Sequence, residues 1–448
     1  MKKRDSRRRA RVLAQSAAAG GVFIGTLLII PASSTSSGST LAPGTPETLL
    51  PQASNIPEPA GGVTPQTAEA QAALNIAQVV QQASNAFGTD YAGVWIDNSG
   101  NSPVLRVLVT GAVSSEAEAQ FRESIPESNL TDVSITGVSY SQSQLQSFQS
   151  RIATYMVKNF STTNTAPSTP IYISVDPKDN AVSVSISQAD SRFLTQIEAL
   201  VPSNALRVRW TKGTVQDDGG TGWVSDYTRA SFPPYKAGLA IAVGSNLEEC
   251  TSGFLLKLQG GNYKGVTAGH CASGGSTEIY SISGKEIGAG WGAYSYGSGG
   301  DYYAFSITTN TLVGKLVAET NGSSSFIDSI IGRESNQDQA LGLEVCLSGV
   351  ASNAVNCGSL IEPSGTDKYY DGHLVGNLAC ATFTASPGDS GGAVYTPYPT
   401  DDATAAGVLD TSSYADACYT TIDSVLQGIS NNWEGKPTYV VDASGGLS

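Results

Sequence analysis

The cysteines of this 448-residue chain are confined to its C-terminal half, and this confinement limits how the chain can fold. A stretch of 249 residues without cysteine precedes all six: Cys250, Cys271, Cys346, Cys357, Cys380 and Cys418. The even number and the lack of a Cys-x-x-Cys motif favour three disulfides over a zinc or redox site. Six cysteines allow 15 pairings, and their spacing alone does not choose among them. The chain therefore divides into a cysteine-free part and a cross-linked part.

The N-terminus has the layout of an export signal. Residues 1–11 are strongly basic, an apolar run follows from Val22 to Ile30, and small polar residues begin at Pro31. This order is typical of a secretory signal, and an exported chain meets an oxidising compartment in which disulfides form. The apolar run is shorter than the roughly 20 residues that a membrane span requires. Residues 1–33 are therefore predicted to be a signal peptide, with a retained membrane anchor as the alternative.

The charge balance argues against one class of partner. Seven of the 25 basic residues and one of the 39 acidic residues lie in residues 1–11, so the remaining chain carries 18 bases against 38 acids. A surface with this excess of acids does not suit a nucleic-acid backbone. The chain has only two histidines, His270 and His373, which argues against a metal site built from several histidines. We expect no nucleic-acid partner, no metal and no cofactor.

Composition divides the rest of the chain into five segments. Residues 34–66 are rich in Ser, Thr, Pro and Gly, which predicts a solvated linker. Residues 67–212 have regular periodicity, and residues 213–236 are a second linker that contains Gly and Pro. Residues 237–435 have a β-rich pattern, and residues 436–448 are expected to be a tail.

Residues 67–212 contain one pattern twice. Tyr91–Thr110 alternates like two strands around an Asn-Ser-Gly turn, and Ile171–Ile186 does the same around Pro-Lys-Asp-Asn. An Ala- and Gln-rich stretch from Thr67 to Phe87 predicts a helix. Four apolar residues at helical spacing predict another helix between the two hairpins: Leu145, Phe148, Ile152 and Met156. This region is therefore predicted to be two small α+β units.

From Ala237 onward, short β-rich runs alternate with clusters of Gly, Ser and Asn. The runs are LAIAV, FLLKL, DYYAFSI, LGLEVCL and AGVLD. This spacing predicts an all-β barrel or sandwich. One amphipathic helix is predicted near the end of the chain from the spacing of Ile422, Val425, Leu426, Ile429 and Trp433.

Three motifs in the β-rich part carry residues suited to nucleophilic catalysis. In chain order they are TAGHC at 267–271, Gly300-Asp301 and GDSGG at 388–392. A serine hydroxyl needs a base to take its proton, and an imidazole has a suitable pKa. The imidazole in turn needs an acid that fixes its tautomer, and the oxyanion needs preorganised N–H donors. His270, Asp301 and Ser390 are the candidates for these three tasks.

The order of these residues excludes another class of hydrolase. GDSGG also satisfies Gly-x-Ser-x-Gly, the nucleophile elbow of α/β-hydrolases, in which the histidine follows the serine. Here both histidines precede Ser390, so the lipase or esterase interpretation fails.

The β-rich part resembles the chymotrypsin-like serine proteases, and in particular the bacterial branch that includes α-lytic protease and the streptogrisins. The motifs that carry the resemblance are TAGHC at 267–271, VCLSG at 345–349, Cys357-Gly358 and PGDSGG at 387–392, within Ala237–Trp433. The resemblance implies an all-β double β-barrel with a C-terminal helix and the active site between the barrels. The two α+β units, with VDP at 175–177, look like the pro-region of the same branch.

The resemblance also assigns roles and a disulfide pattern. It makes Ser390 the nucleophile, His270 the general base and Asp301 the orienting acid, and it places the oxyanion hole at the N–H groups of Gly388 and Ser390. It implies sequential disulfides: Cys250–Cys271, Cys346–Cys357 and Cys380–Cys418.

The sequence departs from the family pattern at several positions. Two tyrosines, Tyr302 and Tyr303, separate the acid Asp301 from the small residue Ala304, where the family usually has one residue. Leu347 stands where a basic residue often pairs with the acid before the nucleophile, so Asp389 needs another partner or a solvated setting. Arg333 and a newly freed N-terminus are the two candidates. The stretch 381–387 is longer than usual, and Asp410-Thr411-Ser412 replaces the usual Ser-Gly-Gly strand.

These observations predict a secreted serine endopeptidase that is made as a zymogen and works as a monomer. Its expected partners are protein or peptide substrates and its own pro-region. Leu378 and Ala379 stand where trypsin-like enzymes carry a pocket acid, so an apolar P1 residue is expected, with Asp410 as the acid that would change this. Two alternatives stay open: a catalytically weak binding module with a protease fold, and an anchored protein whose N-terminal units bind a partner. His373 is expected to be structural.

Overall fold

A computed structural model describes most of the chain from Ala68 onward. The described residues are 68–100, 104–125, 133–160, 167–211, 235–244, 248–260, 263–272, 278–281, 284, 286–307, 312–321, 324–352, 355–370, 372–398, 402–412, 416–432, 435–441 and 447–448. The predicted signal or anchor, the first linker and residues 213–234 of the second linker lie outside them. No helix among the described residues has the length and apolar character needed to cross a bilayer.

The first α+β unit contains a hairpin, as predicted, and one further strand. Its elements are α1 Ala68–Phe87, β1 Tyr91–Asp97, β2 Val104–Thr110, α2 Ser115–Ser124 and β3 Val133–Val138. β1 and β2 are antiparallel, and β3 adds parallel to β2. α1 buries Ile76, Val79 and Ala83 at helical spacing. Ser114 caps α2, because its side chain accepts a hydrogen bond from the Ala117 N–H.

The second unit repeats this plan. Its elements are α3 Gln142–Phe160, β4 Ile171–Asp176, β5 Ala181–Ser187, α4 Leu194–Glu198 and β6 Leu206–Thr211. β4 and β5 form the predicted hairpin, and β6 adds parallel to β5. Leu145, Ile152 and Met156 of α3 are fully buried against this sheet, whereas Phe148 is half-buried. Each of the two regions therefore combines helices with a hairpin and one further parallel strand.

The remaining chain is mostly strands. They are β7 Tyr235–Ala237, β8 Ala240–Val243, β9 Glu248–Thr251, β10 Leu255–Leu258, β11 Tyr263–Thr267, β12 Glu278–Ser281, β13 Glu286–Gly297, β14 Gly300–Ile307, β15 Leu312–Asn321, β16 Ser324–Arg333, β17 Glu344–Ser348, β18 Val355–Tyr370, β19 His373–Ala381, β20 Ala393–Pro397, β21 Asp402–Ser412 and β22 Ala417–Thr421. They are followed by helix α5 Ile422–Asn432 and strand β23 Thr438–Val440.

These strands form two sheets that fit the predicted double β-barrel. The first sheet has the order β23-β10-β11-β14-β13-β12-β8-β9. Only residues 252–254 separate β9 from β10, so the chain itself joins two distant strands of this sheet. In the second sheet, the pairs β17–β18, β18–β19, β19–β22, β22–β21, β21–β20 and β20–β17 close a ring of six antiparallel strands. Strand β23 lies in the segment expected to be a tail.

Helix α5 packs on the barrels with the predicted apolar face. Its residues Ile422, Val425 and Ile429 are fully buried in one cluster with side chains of both sheets, including Leu256 and Val408. Trp433, the last residue of the predicted stripe, lies outside the described residues. The helix therefore stabilises the contact between the two barrels.

The second α+β unit shares a sheet with the second barrel. β4 pairs with β18, with Tyr172 opposite Lys368 and Ile171 opposite Tyr369. The Tyr369 side chain is fully buried in the apolar core of the second unit, beside Ile171 and Leu145. This pairing between distant parts of the chain has no signature in the sequence pattern.

The three disulfides join the cysteines in chain order, as the resemblance implies. They are Cys250–Cys271, Cys346–Cys357 and Cys380–Cys418. The first lies in the first barrel and the other two in the second barrel. None of the six cysteines is free.

Candidate active site

His270, Asp301 and Ser390 come from three separate segments and meet between the barrels. His270 begins a short 3₁₀ turn after β11, Asp301 is the second residue of β14, and Ser390 lies between β19 and β20. His270 Nδ1 lies 2.6 Å from Asp301 Oδ2, and His270 Nε2 lies 2.8 Å from Ser390 Oγ. Because an ionised carboxylate can only accept, Nδ1–H donates to Asp301, and in the neutral imidazole Nε2 accepts from the Ser390 hydroxyl.

Burial and pairing set the charges of this group. Asp301 is fully buried, and its Oδ1 also accepts the His270 backbone N–H at 2.8 Å. Burial alone would raise the pKa of Asp301, but the charge and hydrogen bond of His270 hold this pKa below its ordinary value. Burial alone would lower the pKa of His270, but the paired Asp301 carboxylate outweighs it and raises this pKa to about 9. The imidazole is therefore a stronger base than a free histidine.

Two glycines of the sequence motifs allow backbone to approach closely at this site. A Cβ on Gly269 would lie 2.2 Å from the Ser295 carbonyl oxygen and 2.6 Å from Asp301 Oδ1. Gly391 has φ +84°, and a Cβ there would lie 2.0 Å from Thr267 Oγ1. A side chain at Gly269 would clash with Asp301, and a side chain at Gly391 would clash with Thr251 and Thr267 of the first barrel.

Hydrogen bonds between the barrels hold the serine in place. The Thr251 N–H donates to the Ser390 carbonyl at 2.8 Å, and the Thr251 hydroxyl donates to the Gly388 carbonyl at 2.7 Å. The Val350 N–H donates to the Thr251 hydroxyl oxygen at 3.3 Å. Thr251 is therefore fixed to both sides of the serine loop.

The serine loop also carries the two N–H groups predicted to bind an oxyanion. Gly388 has φ +105°, a conformation that favours glycine. Within the part of the chain that the structure describes, no protein acceptor takes the N–H of Gly388 or Ser390.

Asp389 is held by backbone donors rather than by a basic side chain. Its carboxylate accepts from the N–H groups of Ala351 at 2.7 Å, Ser352 at 3.0 Å and Ser386 at 2.8 Å. Arg333, one of the two partners proposed from the sequence, instead pairs with Asp423, which corrects that hypothesis. Burial raises the pKa of Asp389, and the three N–H donors oppose this rise.

Sequence reasoning did not foresee the partner of Asp410. Asp410 is fully buried on β21, and its Oδ2 lies 2.6 Å from the ammonium Nζ of Lys368 on β18, which is equally buried. The unusual acid Asp410 could be recognised from the sequence as a residue in need of a partner. Nothing in the sequence pattern indicated that this partner is Lys368. His373 is exposed at the start of β19, where its ring lies 5.9 Å from that of Tyr296.

Comparison with known proteins shows that part of the chain is similar in sequence to a bacterial protease. The chain is 31% identical to streptogrisin-D of Streptomyces griseus over 186 residues, which cover 42% of this chain and 45% of streptogrisin-D. The match therefore spans less than half the length of this curated relative. No protein-family model matches the chain. The resemblance to the bacterial chymotrypsin-like serine proteases is confirmed.

Solved proteases of this branch are also similar in sequence. Thermobifida fusca protease A is 26% identical, covering 46% of this chain and 97% of its own at a TM-score of 0.35. A Nocardiopsis protease is 26% identical, covering 44% of this chain and 95% of its own at a TM-score of 0.34. TM-scores this low carry no argument about the fold, which stands on the strand pairing described above.

Replacing Gly391 tests how the barrels meet. We expect Gly391→Ala to lower the free energy of unfolding by about 3 kcal/mol, because the new methyl group clashes and the φ angle is unfavourable. Gly260→Ala is the matched control, since Gly260 also has a positive φ, +68°, but a Cβ there meets nothing within 4 Å. Urea unfolding of both variants measures the difference. Equal destabilisation by the two changes would show that the close contact at Gly391 is unimportant.

Proposed function

We propose that this chain is a secreted serine endopeptidase, made as a zymogen, that cleaves peptide bonds through an acyl-enzyme. The observation that carries the proposal is the pair of hydrogen bonds from Ser390 to His270 and from His270 to Asp301, at 2.8 and 2.6 Å. An aligned serine, imidazole and buried carboxylate is the arrangement that activates a hydroxyl for acyl transfer. The similarity to streptogrisin-D supports the same class of reaction.

The proposed mechanism assigns one task to each group. Ser390 Oγ attacks the peptide carbonyl carbon as its proton passes to His270 Nε2. Asp301 stabilises the imidazolium and keeps its ring oriented. The N–H groups of Gly388 and Ser390 donate to the oxyanion, an interaction for which each donor typically contributes about 3–4 kcal/mol.

The imidazolium then completes the reaction. His270 gives its proton to the leaving amine as the C–N bond breaks, which leaves the acyl group on Ser390. A water molecule next gives a proton to His270 and attacks the ester, and Ser390 recovers its proton as the acid product leaves. All proton transfers in this scheme pass through one nitrogen, His270 Nε2, so the scheme needs no cofactor.

Substitution of the triad tests this proposal directly. Ser390→Ala should lower kcat for a peptide amide by at least three decades, with its disulfides and thermal stability retained, because the change removes one hydroxyl. His270→Ala should be comparably severe. His373→Ala is the matched control and should keep most activity, because His373 is exposed and its ring faces Tyr296. Residual activity of about 1% or more in Ser390→Ala would reject Ser390 as the nucleophile.

The proposal includes a preference for apolar P1 residues. The chain carries no acid between Asn377 and Pro387. Asp410, the remaining candidate for a pocket acid, is already paired with Lys368 in a fully buried ion pair. A positive P1 side chain would lack a partner there, and burying an unpaired charge is costly.

A panel of chromogenic peptides that differ only at P1 tests this preference. We expect kcat/KM to be at least tenfold higher for Phe or Leu than for Arg or Lys. Fastest cleavage after Arg would mean that an acid from elsewhere in the chain reaches the pocket.

We further propose that residues 67–212 are a pro-region that helps the protease part to fold. The protease part is β-rich with non-local strand pairs, a topology that folds slowly. The second α+β unit supplies a template, because β4 pairs with β18. Arg209 adds an ionic contact, with its guanidinium 2.5 Å from Asp176 and 3.2 Å from Glu362 of β18. The linker at 213–236 is the expected place for the cut that releases the enzyme.

Separate expression of the two parts tests the helper proposal. The fragment Ala237–Ser448 alone should refold poorly, and residues 67–212 added in trans should restore activity. Arg209→Ala in the added part should reduce this rescue, because Arg209 bridges to Glu362. Arg122→Ala is the control, since Arg122 pairs with Glu118 on the exposed face of α2. Full activity of the fragment without help would favour a permanent accessory domain.

A further inference from the structure

We propose that the buried ion pair of Lys368 and Asp410 positions the catalytic acid and sets the proton affinity of His270. This inference deepens the proposed function and rests on it, because it concerns the same His270–Asp301 pair. Lys368 and Asp410 are positioning residues, since they act through Asp301 and His270 rather than on substrate.

The pair is placed by two strands of the second barrel. Asp410 lies on β21 and Lys368 on β18, and the exposure of both side chains is 0%. Lys368 Nζ donates to Asp410 Oδ2 at 2.6 Å and lies 3.4 Å from Thr411 Oγ1. Such a lysine carries a desolvation cost that only a close anion offsets. The two residues therefore depend on each other.

Asp410 also lies against the catalytic pair. A nitrogen of His270 and one carboxylate oxygen each of Asp301 and Asp410 lie within 4.8 Å of one another. Asp410 Oδ1 is buried and has no hydrogen-bond partner among the described residues. Both oxygens of Asp301 are occupied by donors of His270. The carboxyl groups of Asp301 and Asp410 thus share one buried site, where burial raises the pKa of Asp410 to about 7 and the Lys368 cation opposes this rise.

The two members of the pair act on His270 with opposite sign. The Asp410 carboxylate favours the imidazolium and raises the pKa of His270, whereas the Lys368 ammonium lowers it. Burial strengthens both effects, because little solvent screens them. The imidazole therefore responds to the balance between Asp410 and Lys368 as well as to Asp301.

Other ionisable groups around the pair do not replace it. Tyr172 of β4 and Tyr296 of β13 lie near the Lys368 ammonium, and Asp416, just before β22, lies near Tyr172. Burial raises the pKa of Tyr172 to about 12, so this phenol stays neutral when His270 titrates. Of these groups, Asp410 raises and Lys368 lowers the pKa of His270.

The titration of His270 tests the inference without any need for activity. The full chain with Ser390→Ala and labelled histidine gives only two imidazole signals, which His373→Ala assigns. Asp410→Asn should lower the pKa of His270 by about one pH unit or more, because it removes an anion and leaves the lysine. Lys368→Met should lower it by less, because the buried Asp410 without its cation takes up a proton and both charges are lost, and the double variant should match Lys368→Met. If Asp410→Asn does not fold, the downward shift expected in the double variant, which leaves neither charge unpaired, still tests the inference.

A matched control and an activity measurement separate the possible outcomes. Lys264→Met removes another buried lysine, whose ammonium lies 2.8 Å from Ser306 Oγ, and should leave the His270 titration unchanged. With Ser390 restored, the acidic limb of the kcat/KM profile should move in the same direction as the pKa of His270. If the wild type is active but the pKa of His270 is the same in all Asp410 and Lys368 variants, the inference is wrong and the proposed function stands. If the pKa of His270 shifts in the variants as expected but the wild type has no amidase activity, the proposed function is wrong and the inference stands.

Discussion

The contact between the two barrels at Thr251 and Ser390 is the interaction on which the candidate site depends. The imidazole and its acid belong to the first barrel and the serine to the second, so the 2.8 Å distance from His270 Nε2 to Ser390 Oγ is set by how closely the barrels meet. The Thr251 N–H bond to the Ser390 carbonyl sets that approach. The disulfide Cys250–Cys271 joins the neighbours of Thr251 and His270 in the chain, so it links this contact to His270.

The buried acids around this contact are stabilised in three different ways. Asp389 is held by three backbone N–H groups, Asp301 by two donors of His270, and Asp410 by the ammonium of Lys368. A buried carboxylate without such partners would take up a proton rather than stay charged. The proposed mechanism needs Asp301 in its ionised state. The positive charge of Lys368 favours that state although Asp410 lies close to Asp301.

Local patterns predicted the parts of this molecule that depend on neighbours in sequence. The hairpins at 91–110 and 171–186, helix α5 and the three catalytic motifs follow from periodicity and from residue chemistry. The pairing of β4 with β18, the Lys368–Asp410 pair and the backbone cradle of Asp389 join residues far apart in the chain, or use N–H groups that every residue carries. Arg333 was a reasonable partner for Asp389 by charge alone, but it lies beside Asp423 instead.

Covalent labelling of the purified protein with a fluorophosphonate, followed by mass spectrometry of its peptides, tests most directly whether Ser390 is an activated nucleophile. A fluorophosphonate reacts with a serine whose hydroxyl has a base beside it, so the label should appear on the peptide that contains Ser390. The label should be lost in His270→Ala, because that variant lacks the base. An unlabelled protein, or a label spread over other serines, would contradict the account and favour a protease fold that only binds.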